Sequence, residues 1–219
     1  MSYSAVFFDM DGTVLDTLGD LHAATNACLR QFGRPERTPD EVRRFVGNGS
    51  RRLLEQAMPD ADAATIDAAL AWYKPWYDAH SAVLTRPCPG VPALLERLRA
   101  AGLPAAILSN KPDATVRALS ARFFPGLYAL AAGEDEARGR RRKPWPDLLL
   151  STAEALGLPP ARCLYVGDSE VDLLTAARAG MDCAAVLWGF RSRAELEAAG
   201  GRLFFDTPAA LGDWILGKS

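Results

Sequence analysis

Five short apolar stretches, none alternating with polar residues, constrain the fold of this chain more than any other feature. They occupy residues 5–8, 103–108, 127–132, 163–166 and 183–188. A strand that is apolar at every position has both faces covered, which is the condition of a parallel sheet flanked by helices. Helical periodicity fills most of the gaps. Val91, Leu94, Leu95 and Leu98 recur at helical spacing, and Gly102 then supplies a stop. Residues 148–156 run into Gly157, and residues 173–179 into Gly180, in the same way. Strand–helix alternation of this kind predicts an α/β fold with a doubly wound, mostly parallel sheet.

The alternation breaks once. Residues 18–86 contain helical patterns and no strand signal. Leu18, Leu21, Cys28, Leu29 and Phe32 share one helical face, and Ile66, Ala69, Leu70, Tyr73 and Tyr77 share another. Pro35, Pro39 and Pro59 punctuate the region, and "TRPCPG" (residues 85–90) reads as a return linker. The expected organisation is a core of residues 1–17 and 87–219, with residues 18–86 as a four-helix unit hinged over the end of the first strand. The aromatic group Trp72, Tyr73, Trp76 and Tyr77 reads as the core of that unit. His22 and His80, the only histidines, are expected to do no chemistry.

Partner classes are narrowed by charge and composition. A formal net charge of -2 supplies no electrostatic reason to bind nucleic acid or an anionic membrane. The four cysteines are too scattered for a metal cluster, so reduced, mostly buried thiols are expected. Asp9 interrupts the apolar run near the N-terminus, and no run approaches membrane-spanning length. The expectation is a cytoplasmic monomer or homodimer acting on a small molecule.

Chemistry concentrates where strands end. In "FFDMDGTVLDT" two acids, Asp9 and Asp11, close the first apolar run and are followed at once by Gly12 and Thr13. In "LYVGDSEVD", Asp168 follows a later run and Asp172 falls in the first turn of the next helix. Ligands of parallel α/β sheets bind beyond the carboxyl ends of the strands. Acids brought together there would repel one another, and a hard cation such as Mg²⁺ relieves that repulsion. "AAILSNKP" ends a third run with Ser109 and Asn110, both able to donate hydrogen bonds to an anion. In "RRRKPWP", Lys143 stands before Pro144, which fixes the backbone and lets the ammonium be aimed. The remaining basic residues of 138–143 read as a solvated, mobile surface stretch. Acid pair, hydroxyl, lysine and acid pair are the parts of a phosphoryl-transfer centre.

"DMDGT", "LSNKP", "RKPWPDLLL" and "YVGDSEVDLLTAARAG", in this order and spacing, resemble the haloacid dehalogenase superfamily, in its phosphoglycolate phosphatase-like branch. The likeness spans essentially the whole chain. Departures are Cys88, where the branch has Tyr, and Val171, where it has Asn. The resemblance implies a Rossmann-like core with a helical cap inserted after the first strand. It also implies a Mg²⁺-dependent phosphatase for a small phosphate monoester, 2-phosphoglycolate foremost. Asp9 would be the nucleophile that becomes an aspartyl phosphate, and Asp11 the acid and base. Asp9, Asp168 and the Asp11 carbonyl would hold the metal, while Asp172 acts through a water or orients Lys143 and Asp168. Ser109 and Lys143 would hold phosphoryl oxygens, with Gly12, Thr13 and Asn110 completing the phosphate site. "VGNGSRRLL" resembles the branch's cap loop, which would bring Gly47, Asn48, Ser50 and Arg51 toward substrate.

Rival readings are a beta-phosphoglucomutase-like hexose-phosphate mutase or a pyrophosphatase of the same superfamily, and, from a different class, a phosphorelay receiver. The receiver is disfavoured because its acid pair and its phosphorylated aspartate come from different strands and no helical domain follows the first.

Overall fold

A computed structural model describes residues 3–217. In chain order the elements are β1 (Ala5–Asp9), β2 (Leu15–Asp16), α1 (Leu18–Gln31), α2 (Pro39–Phe45), α3 (Gly49–Ala57), α4 (Ala63–His80), β3 (Arg86–Pro87) and α5 (Val91–Ala100). There follow β4 (Ala105–Pro112), α6 (Asp113–Phe123), β5 (Leu130–Glu134), α7 (Asp147–Ala155), β6 (Cys163–Gly167) and α8 (Glu170–Ala179). The chain closes with β7 (Asp182–Val186), α9 (Arg193–Ala198), β8 (Leu203–Phe205) and α10 (Pro208–Ile215).

Six strands form one parallel sheet in the order β5-β4-β1-β6-β7-β8. Strand periodicity divides its side chains between two apolar clusters. Val6 and Phe8 of β1 join α5 and α6 residues such as Leu94, Leu98 and Leu119 on one face. Ala5 and Phe7 join Leu148 and Leu149 of α7 and Ala176 of α8 on the other. Burial on both faces is why these runs show no polar alternation. Five strands lie within the expected runs or overlap them. The sixth, β8, pairs with β7 and was absent from the sequence reading.

The register fixes where chemistry can occur. Asp9 is level with Leu108, and Phe8 with Val166. Ser109 and Asn110 therefore begin one step beyond Asp9, and Asp168 emerges from the neighbouring strand on the other side. β1 lies between β4 and β6, the point where connections turn in opposite directions.

Helices α1 to α4 bury their own cluster, including Leu21, Leu29, Val42, Leu54, Tyr73 and Tyr77. Their limits follow from local chemistry. Thr38 and Glu41 form a capping box that starts α2, and the Asp62 carboxylate accepts from Thr65 N to start α4. Two short strands join this unit to the sheet: β2 and β3 pair antiparallel, Leu15 with Pro87 and Asp16 with Arg86. The Asp20 carboxylate of α1 fastens the segment leading into β3, accepting from the backbone N–H of Val83, Leu84 and Thr85 at 3.1, 2.8 and 2.8 Å. Among the described residues, no helix is long and apolar enough to cross a membrane.

Candidate active site

The carboxyl ends of β1, β4 and β6 converge beneath the helical unit on a cavity of about 580 Å³, counting its open side. Asp9, Asp11, Ser109, Asn110, Lys143 and Asp168 line it from below, and Val46, Gly47, Gly49, Ser50 and Leu53 from above.

Lys143 is the electrostatic centre. Its Nζ donates to Asp9 Oδ1 at 2.6 Å, Asp172 Oδ1 at 2.7 Å and Tyr165 Oη at 3.1 Å, and the residue is 3% exposed. Burial alone would depress this ammonium, but Asp172 and Asp9 overcome it and hold the pKa well above that of an ordinary lysine. Asp172 is fully buried, its Oδ2 accepting from Ser169 N and Oγ at 3.1 and 2.6 Å. Both of its oxygens are thus engaged in orienting neighbours.

Asp9 and Asp168 are buried as well. Desolvation pushes the Asp9 carboxyl well above the carboxylate range; Lys143 opposes this, while Asp172, Asp168 and Asp11 add to it. Desolvation and the Asp172 charge push Asp168 up to about 7, against hydrogen bonds from Phe190 N and Thr13 and the attraction of Lys143. One oxygen from each of Asp9, Asp168 and Asp172 lies within 4.8 Å of the others. Buried carboxylates this close, with too little positive charge among them, form an all-oxygen set suited to Mg²⁺. Asp9 and Asp168 fit as ligands. Asp172 is occupied by Lys143, Tyr165 and Ser169.

Several expected site residues take different parts. Thr13 is fully buried and donates its Oγ1 to Asp168 Oδ1 at 3.1 Å, so it orients a carboxylate instead of meeting phosphate. Gly12 has φ of 79°, and a Cβ there would lie 2.5 Å from Asp168 Oδ2. Its glycine admits the Asp168 carboxylate. The Asn110 side chain is already committed: Oδ1 accepts from Lys143 N at 2.5 Å, while Nδ2 donates to Lys143 O at 3.0 Å and Gly47 O at 2.9 Å. It braces rather than offering a free donor to phosphate. Asn48 precedes α3 but lines a neighbouring groove with Arg52, Arg141 and Trp145, whereas Gly47 and Ser50 of the same segment line the cavity. Arg51 points to Asp67 and Glu55. The basic run before Lys143 is ion-paired: Arg138 pairs with Asp135, Arg140 with Asp113 and Asp135, Arg141 with Asp147, and Arg142 with Glu134. His22 meets Arg37 O and Asn26, away from the cavity.

Other residues were missed in the sequence. Lys111 Nζ is 2.9 Å from Asp11 Oδ1 and 4.7 Å from the Tyr77 ring centroid, and Thr17 Oγ1 donates to the same Asp11 oxygen at 2.5 Å. Ser109 Oγ is 3.5 Å from Asp11 Oδ2 and accepts from Lys111 N at 3.2 Å. From the loop after β7, Phe190 N donates to Asp168 Oδ2 at 2.6 Å, and Gly189 admits that carboxylate, since a Cβ there would lie 2.2 Å from the Asp168 Cβ. A glycine–aromatic pair after a strand looks like a turn in sequence. Only "SNKP" carried a signal, because the residue after Asn110 necessarily stays near the strand end.

Comparison with known proteins decides the family. The haloacid dehalogenase-like hydrolase family matches residues 3–180. The chain belongs to that family. A haloacid dehalogenase-like hydrolase of this kind is an enzyme, and all four sequence motifs lie inside the matched region. Similar curated proteins include the phosphoglycolate phosphatase of Xanthomonas campestris pv. campestris (strain 8004), 37% identical over 85% of this chain and 84% of the relative. The phosphoglycolate phosphatase of Xylella fastidiosa (strain 9a5c) is 36% identical over 85% and 81%. A crystal structure from Lactobacillus delbrueckii subsp. bulgaricus is 36% identical and superposes with a TM-score of 0.93, covering 99% of this chain and 100% of that one.

Proposed function

We propose that this hydrolase is a Mg²⁺-dependent phosphatase acting on a small phosphate monoester, 2-phosphoglycolate foremost, through an aspartyl phosphate on Asp9. The observation that carries the proposal is the convergence of Asp9, Asp168 and Lys143 on one covered cavity, with the Asp9–Lys143 contact at 2.6 Å. The names of the relatives support the choice of substrate.

Asp9 and Asp168, with the Asp11 backbone carbonyl, would hold Mg²⁺. When bound, the metal supplies positive charge that offsets the phosphoryl oxygens and the carboxylates. Asp9 attacks phosphorus, and the bond from phosphorus to the leaving oxygen breaks. Asp11 gives that oxygen its proton. Asp11 then takes a proton from a water that attacks the aspartyl phosphate, which releases inorganic phosphate and restores Asp9. Lys143 and Ser109 hold the other phosphoryl oxygens, and Tyr165 and Asp172 fix the lysine in place. The helical unit acts as a cap that keeps bulk water from the leaving-group side.

Free-phosphate release over a panel of 2-phosphoglycolate, hexose phosphates, nucleotides and pyrophosphate, with Mg²⁺ or with EDTA, tests the proposal. The expected result is metal-dependent release, fastest from 2-phosphoglycolate. Conversion of a sugar 1-phosphate to its isomer without free phosphate would establish a mutase, and rates indifferent to Mg²⁺ would overturn the metal site.

A further inference from the structure

Two core side chains grip four backbone carbonyls within residues 43–47 of the helical unit. The segment 43–47 ends α2, where helical carbonyls lack intrahelical partners. Arg191 Nη1 donates to Arg43 O at 3.1 Å, and Nη2 to Val46 O at 2.9 Å and Arg44 O at 3.4 Å. Its Nε donates to Glu170 Oε2 at 3.1 Å, so the first turn of α8 aims the fork. A planar, forked cation suits the carbonyl end of a helix in both hydrogen bonding and dipole sign. Alongside, Asn110 Nδ2 donates to Gly47 O while the same side chain holds both backbone groups of Lys143. Arg191, Asn110 and Lys143 all line the cavity.

We propose that Arg191 and Asn110 are positioning residues that latch the cap shut over the Asp9 site, with Asn110 tying the latch to Lys143. None of the carbonyls at Arg43, Arg44, Val46 and Gly47 is tethered to the core by a covalent bond. Cap opening returns them to water, and closing restores the grip. Elsewhere, Thr115 Oγ1 donates to Asp78 of α4 at 2.7 Å, so the latch specifically governs the α2–α3 side, where Gly47, Gly49 and Ser50 overhang the cavity. Because Asn110 contacts Gly47 and Lys143 together, closure also stiffens the backbone that aims the ammonium at Asp9. The inference rests on the phosphatase reading for its kinetic half only.

The test pairs steady-state phosphate release with small-angle scattering of the free protein for Arg191→Ala, Arg191→Lys, Asn110→Ala and the double Ala variant. A hydrogen bond from a charged donor such as Arg191 is worth roughly a factor of ten or more, and a neutral one such as that of Asn110 roughly a factor of five. Arg191→Ala should lower kcat/KM roughly 10- to 30-fold, mostly through KM, because less of the protein is closed. Arg191→Lys should recover only part, since an ammonium cannot fork across three carbonyls. Asn110→Ala should lower kcat as well, through Lys143. The double variant should scatter as a more expanded particle with the core still folded by circular dichroism. Values of kcat/KM within twofold of wild type, or kinetic losses with unchanged scattering, would overturn the latch. Wild type that releases no phosphate from any ester would instead defeat the phosphatase reading, and the scattering arm would still decide the latch.

Discussion

Replacing Lys143 by Met should destabilise the core by an amount that depends on pH in a known direction. The ammonium contacts Asp9 at 2.6 Å and Asp172 at 2.7 Å, and both carboxylates are buried. Removing one partner of a buried ion pair strands the other charge and costs about 3–5 kcal/mol. For a chain of this size that is roughly 6–20 °C in melting temperature. Lys143 has a raised folded pKa, so its stabilisation is fully present below the ordinary lysine range and is lost only as pH rises through the folded value. Between pH 5 and 8 it is charged, and the pH dependence of the variant therefore comes from the carboxylates. Asp9 is already pushed up by burial, and without the lysine it takes a proton more readily. The penalty should be largest at pH 8 and shrink toward pH 5. Thermal unfolding in EDTA at both values measures it. A loss equal at the two pH values, or below about 1 kcal/mol at pH 8, would refute the electrostatic reasoning.

Three further outcomes follow from the same geometry. Asp168 titrates near 7 in the folded chain against about 3.9 unfolded, so metal-free stability should fall as pH rises from about 4 to about 7, by at most about 4 kcal/mol; scanning calorimetry with EDTA and with Mg²⁺ should show the metal restoring more stability at pH 7.5 than at pH 5. Gly12→Ala puts a Cβ 2.5 Å from Asp168 Oδ2 at φ of 79°, and should raise the Mg²⁺ concentration needed for half-maximal activity at least tenfold; an unchanged metal titration would contradict it. Asp20→Ala removes the acceptor of three consecutive backbone N–H groups in the segment before β3, and should cost roughly 2–3 kcal/mol by thermal unfolding.

What the sequence disclosed, it disclosed for physical reasons. Parallel strands buried on both faces leave uninterrupted apolar runs, so β1, β4, β5, β6 and β7 stood out within a few residues. β8 has three residues, two of them only partly buried, and too short a run to register. The two-residue β2–β3 ribbon has no periodicity at all. At the site, Asp9, Asp168 and Lys143 stood out in the sequence, the acids beside the ends of buried strands and the lysine before a proline, and all three line one cavity. Side chains whose role depends on a rotamer were not legible: Asn110 and Thr13 carry the right chemistry for an anion, yet their hydrogen bonds go to Lys143, Gly47 and Asp168. Nor could spacing reveal Arg191, whose acceptors are the carbonyls of residues nearly 150 positions earlier.

A covalent phosphoryl group on Asp9 is the most direct test of the whole mechanism. Acid-quenching the enzyme during turnover of 2-phosphoglycolate with Mg²⁺, then digesting it and weighing the peptides, should find one phosphoryl group on the fragment carrying Asp9, removable by hydroxylamine and missing from Asp9→Asn. A phosphoryl group on any other residue, or Asp9→Asn turning over within tenfold of wild type, would contradict it.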